Sequence, residues 1–297
     1  MLEILAPCRG PDTVGAALKY GADSVYLGSK DFSARRRAKN FSIEEIKSAT
    51  DECHSHGVKV YLALNTLVFD DEILKLIQTV DSCVNAGIDA VIVQDLGVMR
   101  VVKDRYPGLP LHASTQMTVT SIMGARILKD LGFKRVVLAR ELSFAEIRDI
   151  ARSEDIEIEV FVHGALCVCL SGQCYMSAML GGRSGNRGLC AQPCRLPFKD
   201  KKHPLSLKDL SIISKIRELE KIGVKSVKIE GRMKSSEYVG AAVNACRLAR
   251  DGKSPDIRQL KDIFSRDGFT SGYYDNNYNN MGGTRRVKEK NVQRKTR

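Results

Sequence analysis

The sequence lacks any uninterrupted apolar run near the length of about 18 residues that a membrane-spanning helix requires. Its first residues, MLEILAPCRG, also lack the charged start and long apolar stretch of a signal peptide. We therefore expect a cytoplasmic protein with no membrane span. A chain of 297 residues that is 43% hydrophobic can bury a full core, either as one large α/β barrel or as two modest domains.

A glycine-rich phosphate turn is also missing after the first predicted strand, where Ala6-Pro-Cys-Arg-Gly10 stands in place of GxGxxG. This absence disfavours a doubly wound open sheet. Short β-branched runs alternate with amphipathic helical stretches, and a glycine such as Gly21 or Gly223 repeatedly closes a helix just before the next strand. Eight such units in about 250 residues are typical of an α/β fold of the (β/α)8 TIM-like barrel class.

The predicted strands are residues 2–6, 24–27, 59–64, 90–93, 111–113, 135–138, 156–162 and 226–229. The predicted helices are residues 11–20, 42–56, 70–86, 96–106, 120–131, 143–153, 207–222 and 235–250. We expect a barrel domain over residues 1–255 that includes a cysteine-rich insertion, residues 164–205, after the seventh strand. An extension over residues 256–283 and a disordered basic tail over residues 284–297 complete the expected organisation.

Polar residues follow the predicted strands at their carboxyl ends, where TIM-like barrels carry their chemistry. The mixture of carboxylates and guanidinium groups suits an anionic substrate and charge-assisted hydrogen bonds. We expect the substrate-binding residues to be Asn65, Gln94, Ser114, Gln116, Arg140 and Arg232. The predicted catalytic residues are His163, Glu141 and Glu230.

Five of the nine cysteines lie within residues 163–195, among glycines and few large apolar residues. In a reducing compartment such a group indicates metal or redox chemistry rather than disulfides. Only Cys190 and Cys194 have the close spacing typical of structural zinc, so a four-iron four-sulfur cluster is favoured and zinc is the alternative. The predicted ligands are Cys167, Cys174, Cys190 and Cys194, and Cys8 and Cys169 are the rivals of Cys194. The isolated Cys53, Cys83 and Cys246 lie in helical patterns and are expected to serve packing.

A cysteine peptidase is a second use of these thiols. It requires a histidine within hydrogen-bond reach of the nucleophile, and His163 and Cys167 are four residues apart. Nothing in the sequence specifies an oxyanion hole, and four further cysteines have no role in such a mechanism.

The formal net charge is +12, which favours a polyanionic partner such as RNA or an anionic metabolite. Half of it, +6, lies in residues 284–297, so a solvated tail and a nucleic-acid-binding arm are both open interpretations. A non-enzymatic RNA-binding accessory protein is therefore a third alternative. The sequence leaves the oligomeric state open.

Ordered blocks along the chain resemble a known family. The blocks are residues 3–7 (EILAP), 20–28 (YGADSVYLG), 161–167 (FVHGALC), 171–174 (SGQC), 188–195 (GLCAQPCR), 228–235 (KIEGRMKS) and 268–273 (GFTSGY). They closely resemble the collagenase-like peptidase family U32, and the resemblance covers nearly the whole chain to Tyr274.

The resemblance implies two kinds of activity. The family's name implies collagen degradation, whereas its better-understood members hydroxylate tRNA or ribosomal RNA or assist oxygen-independent ubiquinone hydroxylation. Those members hold iron–sulfur clusters on cysteines, and prephenate is implicated as the oxygen donor. The family's ligand positions correspond to Cys167, Cys174 and Cys190. Some members carry a fourth ligand where this chain has Val239 and Gly240, which leaves Cys194 as the natural fourth.

The RNA-modifying members also continue into further domains, so a short member and a fragment both fit this chain. We expect, from the resemblance and the charge, an RNA hydroxylation protein with a prephenate-type donor. The peptidase and the ubiquinone-pathway accessory protein are the alternatives.

Overall fold

A computed structural model describes residues 1–36, 38–199, 202–279 and 281–282. The predicted basic tail, residues 284–297, lies outside these residues. The fold is a closed barrel of eight parallel strands with helices between them, which confirms the predicted TIM-like architecture. The eight barrel strands are β1 (Glu3–Pro7), β2 (Ser24–Leu27), β3 (Lys59–Leu64), β4 (Ala90–Val93), β5 (Leu111–Ala113), β6 (Arg135–Val137), β7 (Glu157–Gly164) and β9 (Ser226–Ile229).

The barrel closes because β9 pairs in parallel with both β1 and β7. Two short strands lie outside the ring, β8 (Asp209–Ser211) and β10 (Phe269–Thr270). β8 pairs antiparallel with the last residues of β7, and β10 pairs in parallel with β8. The helix predicted over residues 207–222 is therefore wrong in its first part, because residues 209–211 form β8 and the α-helix begins at Ile216.

Ten α-helices lie in the described residues, and most of them bury apolar side chains against the barrel. They are α1 (Pro11–Tyr20), α2 (Ile43–Ser55), α3 (Ile73–Asn85), α4 (Leu96–Arg105), α5 (Ile122–Asp130), α6 (Phe144–Ser153), α7 (Met176–Gly181), α8 (Ile216–Lys221), α9 (Ser236–Arg250) and α10 (Ile257–Ile263). The capping boxes at Ser42 and Ser143 form as the sequence indicates, since each hydroxyl accepts from the backbone three residues on. Gly21 closes α1 with φ +85°, a conformation that only glycine adopts without steric cost.

Ion pairs fill the end of the barrel where the strands begin. The Arg135 guanidinium lies 2.5 Å from the Glu3 carboxylate, 2.8 Å from Glu157 and 3.1 Å from Glu159. Lys228 pairs with the other oxygen of Glu159 at 2.8 Å. Burial would raise the pKa of Glu159, but Lys228 and Arg135 outweigh it and lower that pKa. These charged groups pair with one another and fill this end of the barrel. A ligand must therefore enter from the carboxyl ends of the strands.

Within the described part of the chain, no helix combines the length and apolar character needed to cross a bilayer.

Candidate active site at the barrel mouth

Two arginines share one carboxylate at the mouth of the barrel. Arg140, just after β6, donates to Glu230 Oε2 at 3.1 Å, and Arg35, in the loop after β2, donates to Glu230 Oε1 at 3.1 Å. Burial would raise the pKa of Glu230, but the charges of Arg35 and Arg140 outweigh it and lower the pKa. Glu230 is therefore ionised at neutral pH, and its carboxylate fixes the orientation of both guanidinium groups.

The Arg140 guanidinium also stacks on an aromatic ring inside the barrel, with its carbon 4.0 Å from the Phe161 ring centroid. Its Nε is buried and has no hydrogen-bond partner among the described residues. Arg140 thus keeps one donor for a group that enters the mouth.

Arg232 and Asn65, two of the predicted substrate-binding residues, hold the loop after β2, and their roles toward a substrate stay predictions. Arg232 donates to Ser33 Oγ and to Asn40 Oδ1, each at 2.6 Å, and burial lowers its pKa to about 10. Asn65 Oδ1 accepts from the Ala34 backbone N–H at 3.1 Å. These hydrogen bonds fix the loop after β2, which carries Arg35. Arg232 and Asn65 therefore position Arg35 at the mouth.

Two further predicted residues present buried oxygen atoms that no described residue satisfies. Glu141 accepts from Ser171 Oγ at 3.2 Å through Oε1, whereas Oε2 is buried without a partner. Gln94 lies at the end of β4, and its Oε1 is likewise buried without a hydrogen-bond partner among the described residues. Since buried polar atoms are nearly always paired, these two oxygens are candidates for a bond to a substrate or water, and their roles stay predictions.

Ser114 and Gln116 belong to the next loop along the barrel. The Ser114 backbone N–H donates to the Val93 carbonyl at 2.8 Å, which places this loop beside the end of β4 and Gln94. Ser114 Oγ accepts from the Gln116 backbone N–H at 3.2 Å and so shapes the turn.

The cysteine-rich insertion, residues 164–205, covers the mouth. Gly172 has φ +82°, and an added Cβ would overlap the Gln116 carbonyl, so the insertion lies directly on the loop after β5. Gly188 has φ +74°, and its Cβ would lie 2.5 Å from the Ser33 carbonyl oxygen in the loop after β2. Arg187 pairs with Glu72 at 2.6 Å and lowers the pKa of that carboxyl to about 2. Three barrel loops therefore fix the insertion in place.

Three of the predicted cysteine ligands lie near the fourth. Burial raises the pKa of the Cys194 thiol, the Arg195 charge lowers it, and Cys167, Cys190 and Cys174 raise it further. These three thiols thus each lie close enough to Cys194 to act on it electrostatically. Among the described residues, no three His, Cys, Asp or Glu side chains converge tightly enough to hold a single metal ion.

The rivals of Cys194 have other surroundings. Cys8 lies buried in the core, where burial and then Cys53 raise its pKa. The Cys169 thiol donates to the Gln173 carbonyl at 3.5 Å. Cys53, Cys83 and Cys246 are buried, as expected for packing residues.

Arg195 joins the two ends of the insertion. Its guanidinium donates to the Leu166 and Leu207 carbonyls and, at 3.0 Å, to Ser206 Oγ, and its side chain is buried. Leu166 directly precedes Cys167, and Arg195 directly follows Cys194. The hydrogen bonds of Arg195 therefore fix the backbone beside both predicted ligands.

His163 lies in a different layer from the mouth. Its residue is 1% exposed, and its ring packs 5.5 Å from the Tyr238 ring and 5.1 Å from the Phe269 ring. Neither ring nitrogen has a hydrogen-bond partner among the described residues, whereas Cys167 is exposed. His163 and Cys167 therefore do not form a hydrogen-bonded pair here. The catalytic roles of His163, Glu141 and Glu230 stay predictions.

Sequence reasoning missed Arg35, Ser171 and Arg195. The only signal for Arg35 was the run Arg35-Arg36-Arg37 after the second strand, which does not show which arginine turns inward. Ser171 and Arg195 lie in the blocks 171–174 and 188–195, where the cysteines are the residues with an evident chemical role.

Comparison with known proteins gives a family. The family model described as peptidase family U32 matches residues 10–282. The 23S rRNA 5-hydroxycytidine synthase of Escherichia coli is 42% identical over 248 residues, which are 80% of this chain and 37% of that protein. A tRNA hydroxylation protein P of Helicobacter pylori is 35% identical over 92% of this chain and 71% of its own length. The chain thus spans little more than a third of the first relative.

A solved U32 peptidase structure superposes with a TM-score of 0.57 over 77% of this chain and 92% of that chain. Its sequence identity is 16%, so this likeness concerns the fold.

Proposed function

The chain belongs to peptidase family U32, and on that premise we propose that it is an iron–sulfur-dependent enzyme that hydroxylates tRNA or ribosomal RNA. One observation carries the proposal. A ring of polar strand ends with unsatisfied buried atoms lies beneath an insertion in which Cys167, Cys174 and Cys190 lie near Cys194. The relatives named for RNA hydroxylation support the substrate class.

The arrangement of the thiols supports a cluster over zinc. Thiolates that share one Zn²⁺ lie close together, since each Zn–S bond is about 2.3 Å long. The four thiolates of a four-iron four-sulfur cluster each bind a different iron and lie farther apart. Cys167, Cys174 and Cys190 each lie near Cys194, and no three of the described His, Cys, Asp or Glu side chains converge on a single ion, which fits the larger group. When bound, such a cluster supplies electron transfer at the mouth of the barrel.

The protein side chains bind and orient the reactants. Arg140 keeps a buried Nε donor, and its guanidinium is held in place by Glu230 and Phe161. A carboxylate of a prephenate-type oxygen donor is the kind of group that such an arginine binds. Glu141 Oε2 is the available buried oxygen that accepts a proton or a hydroxyl hydrogen bond there.

Mass spectrometry of nucleosides tests this function. RNA from cells with the gene is expected to contain a nucleoside that carries one additional oxygen atom, and RNA from cells without it is expected to lack that nucleoside. Arg140→Met should abolish the product, whereas Arg100→Met, which removes an exposed ion pair with Asp104, should retain it.

Identical nucleosides in both strains would contradict the proposal. Gelatin hydrolysis that disappears in Cys167→Ala but persists in Cys190→Ala would instead favour the peptidase alternative.

A further inference from the structure

We propose that unpaired RNA binds across the outer face formed by the loop of residues 28–41 and the insertion of residues 164–205, a surface called here the basic rim. This inference rests on the proposed RNA function. It adds where the RNA binds and which form of RNA is recognised.

The positive charge of the chain is concentrated on these segments. Residues 28–41 carry a net charge of +4, residues 164–205 carry +5 and residues 284–297 carry +6. The total is +12, so the remainder of the chain, which builds most of the barrel and its helices, has a net charge of −3. A polyanion is therefore drawn to the side of the barrel that holds the mouth.

The two segments of the basic rim form one continuous surface. A Cβ at Gly188 would lie 3.2 Å from Arg36 Cβ, so the insertion packs directly on the arginine-rich loop. The Arg187 guanidinium stacks 4.3 Å from the Phe69 ring, which ties the insertion to the next loop as well. The exposed cations of both segments thus belong to one joined surface.

Several of these cations are available to phosphates. Arg36, Lys39 and Lys199 are exposed, and none of them forms an ion pair with a residue of the described ranges. Among the other described arginines of the rim, Arg35 binds Glu230, Arg187 pairs with Glu72 and Arg195 is buried. Phosphate contacts are the usual task of free surface cations in RNA-binding proteins.

The insertion also exposes large apolar and aromatic side chains beside the cations. Tyr175 is 59% exposed and Phe198 is 52% exposed. Leu170, Met179, Leu180 and Leu196 are likewise half exposed or more. Exposed aromatic rings next to cations bind unpaired nucleotides, because every base has a face that stacks and a phosphate that pairs.

The charge decides between RNA and a protein partner. The two segments of the rim together hold eleven Lys and Arg residues against two acids, Asp31 and Asp200. This excess of positive charge beside exposed rings fits a single-stranded polyanion. Tyr175 directly follows Cys174, so a strand stacked there lies beside the predicted cluster ligands and the mouth.

The test measures the affinity of the full chain for RNA. The probes are a fluorescein-labelled single strand of about 20 nucleotides, chosen to exceed the usual site size, and a duplex of the same length. The variants are Tyr175→Ala, Tyr175→Phe and the double change Arg36→Ala with Lys39→Ala. The matched control is Lys59→Ala with Lys134→Ala, two exposed cations at the opposite end of the barrel.

Tighter binding of the single strand than of the duplex is expected. Tyr175→Ala should weaken single-strand binding about tenfold, because one stacking contact is lost, and Tyr175→Phe should restore it. The Arg36 and Lys39 double variant should reduce the salt slope, log Kobs against log salt, by about 1.4, since two phosphate contacts disappear. The Lys59 and Lys134 control should match the wild type.

Three outcomes overturn the basic rim. Wild-type affinity in the Tyr175 and Arg36 variants, with wild-type nucleoside products, would reject this surface and leave the proposed function standing. Loss of self-association in Tyr175→Ala without loss of RNA affinity would make the patch a protein interface. A wild-type chain that binds neither probe would also reject the surface, and the nucleoside comparison then decides the function separately.

Discussion

Arg140 and Glu230 form an ion pair of 3.1 Å that crosses the barrel mouth from the end of β6 to the end of β9. Arg35 holds the other carboxylate oxygen at the same distance. One buried anion therefore organises two cations that arrive from loops far apart in the chain, and the geometry of the mouth depends on it.

Replacement of this carboxylate by an amide is expected to destabilise the fold. Glu230→Gln leaves two guanidinium groups without a counter-charge, which should lower the free energy of unfolding by about 3 kcal/mol at neutral pH. Urea denaturation measures this loss. Glu237→Gln, an exposed glutamate in the first turn of α9, is the control and should change little.

The loss should also depend on pH. Because the folded pKa of Glu230 lies below its ordinary value of 4.5, its stabilisation is complete above pH 4.5 and disappears as the pH falls through the folded pKa. The difference between wild type and Glu230→Gln should therefore shrink in acid. A difference that stays constant down to pH 2 would show that Glu230 does not act through its charge.

Anaerobic purification is expected to give a brown protein with about four iron atoms per chain. Separate changes of Cys167, Cys174, Cys190 and Cys194 to serine should each lower the iron content, measured by colorimetric assay and visible absorbance. Cys169→Ser is the matched control. Cys169 lies two residues beyond Cys167, and its thiol donates to the Gln173 carbonyl. Iron loss in Cys169→Ser with full retention in Cys194→Ser would exchange the two assignments.

The barrel was predictable because each strand is buried on both faces and each helix on one, so local apolar patterns carry the information. β8 was not, because residues 209–211 lie inside the stretch 207–222 whose pattern favours a helix, and Leu210 gains its partner only from the end of β7. Arg35 was also beyond prediction, because Arg232 must first bind Ser33 and Asn40 to turn that loop inward.

We expect Gly172 to be required for the insertion to pack against the loop after β5. Gly172→Ala places a methyl group on the Gln116 carbonyl at φ +82° and should lower the free energy of unfolding by about 2 kcal/mol. Gly181→Ala is the matched control in the same insertion, because nothing lies within 4 Å of its added Cβ. Equal stability of both variants in thermal denaturation would show that the insertion does not rest on the loop after β5.

The position of His163 shows that a polar residue at the end of a barrel strand need not face the mouth. The register of β7 against β9 shifts between Phe161 and His163, which breaks the strict alternation of side chains. Phe161 lies beneath Arg140, whereas His163 packs against Tyr238 and Phe269. Burial lowers the pKa of His163 to about 4.

His163→Phe is expected to flatten the acid side of the stability profile. In the unfolded chain His163 binds a proton below pH 6.5, whereas in the folded chain it does so only below about pH 4. The free energy of unfolding of the wild type therefore falls between these two pH values, by on the order of 3 kcal/mol in total. Phenylalanine removes that proton uptake and two unsatisfied nitrogens, so the variant should equal or exceed the wild type at pH 7 and lose less stability in acid. Urea denaturation at pH 7, 5.5 and 4.5 measures both effects. An unchanged acid slope together with complete loss of the RNA product would instead establish His163 as a proton-transfer group.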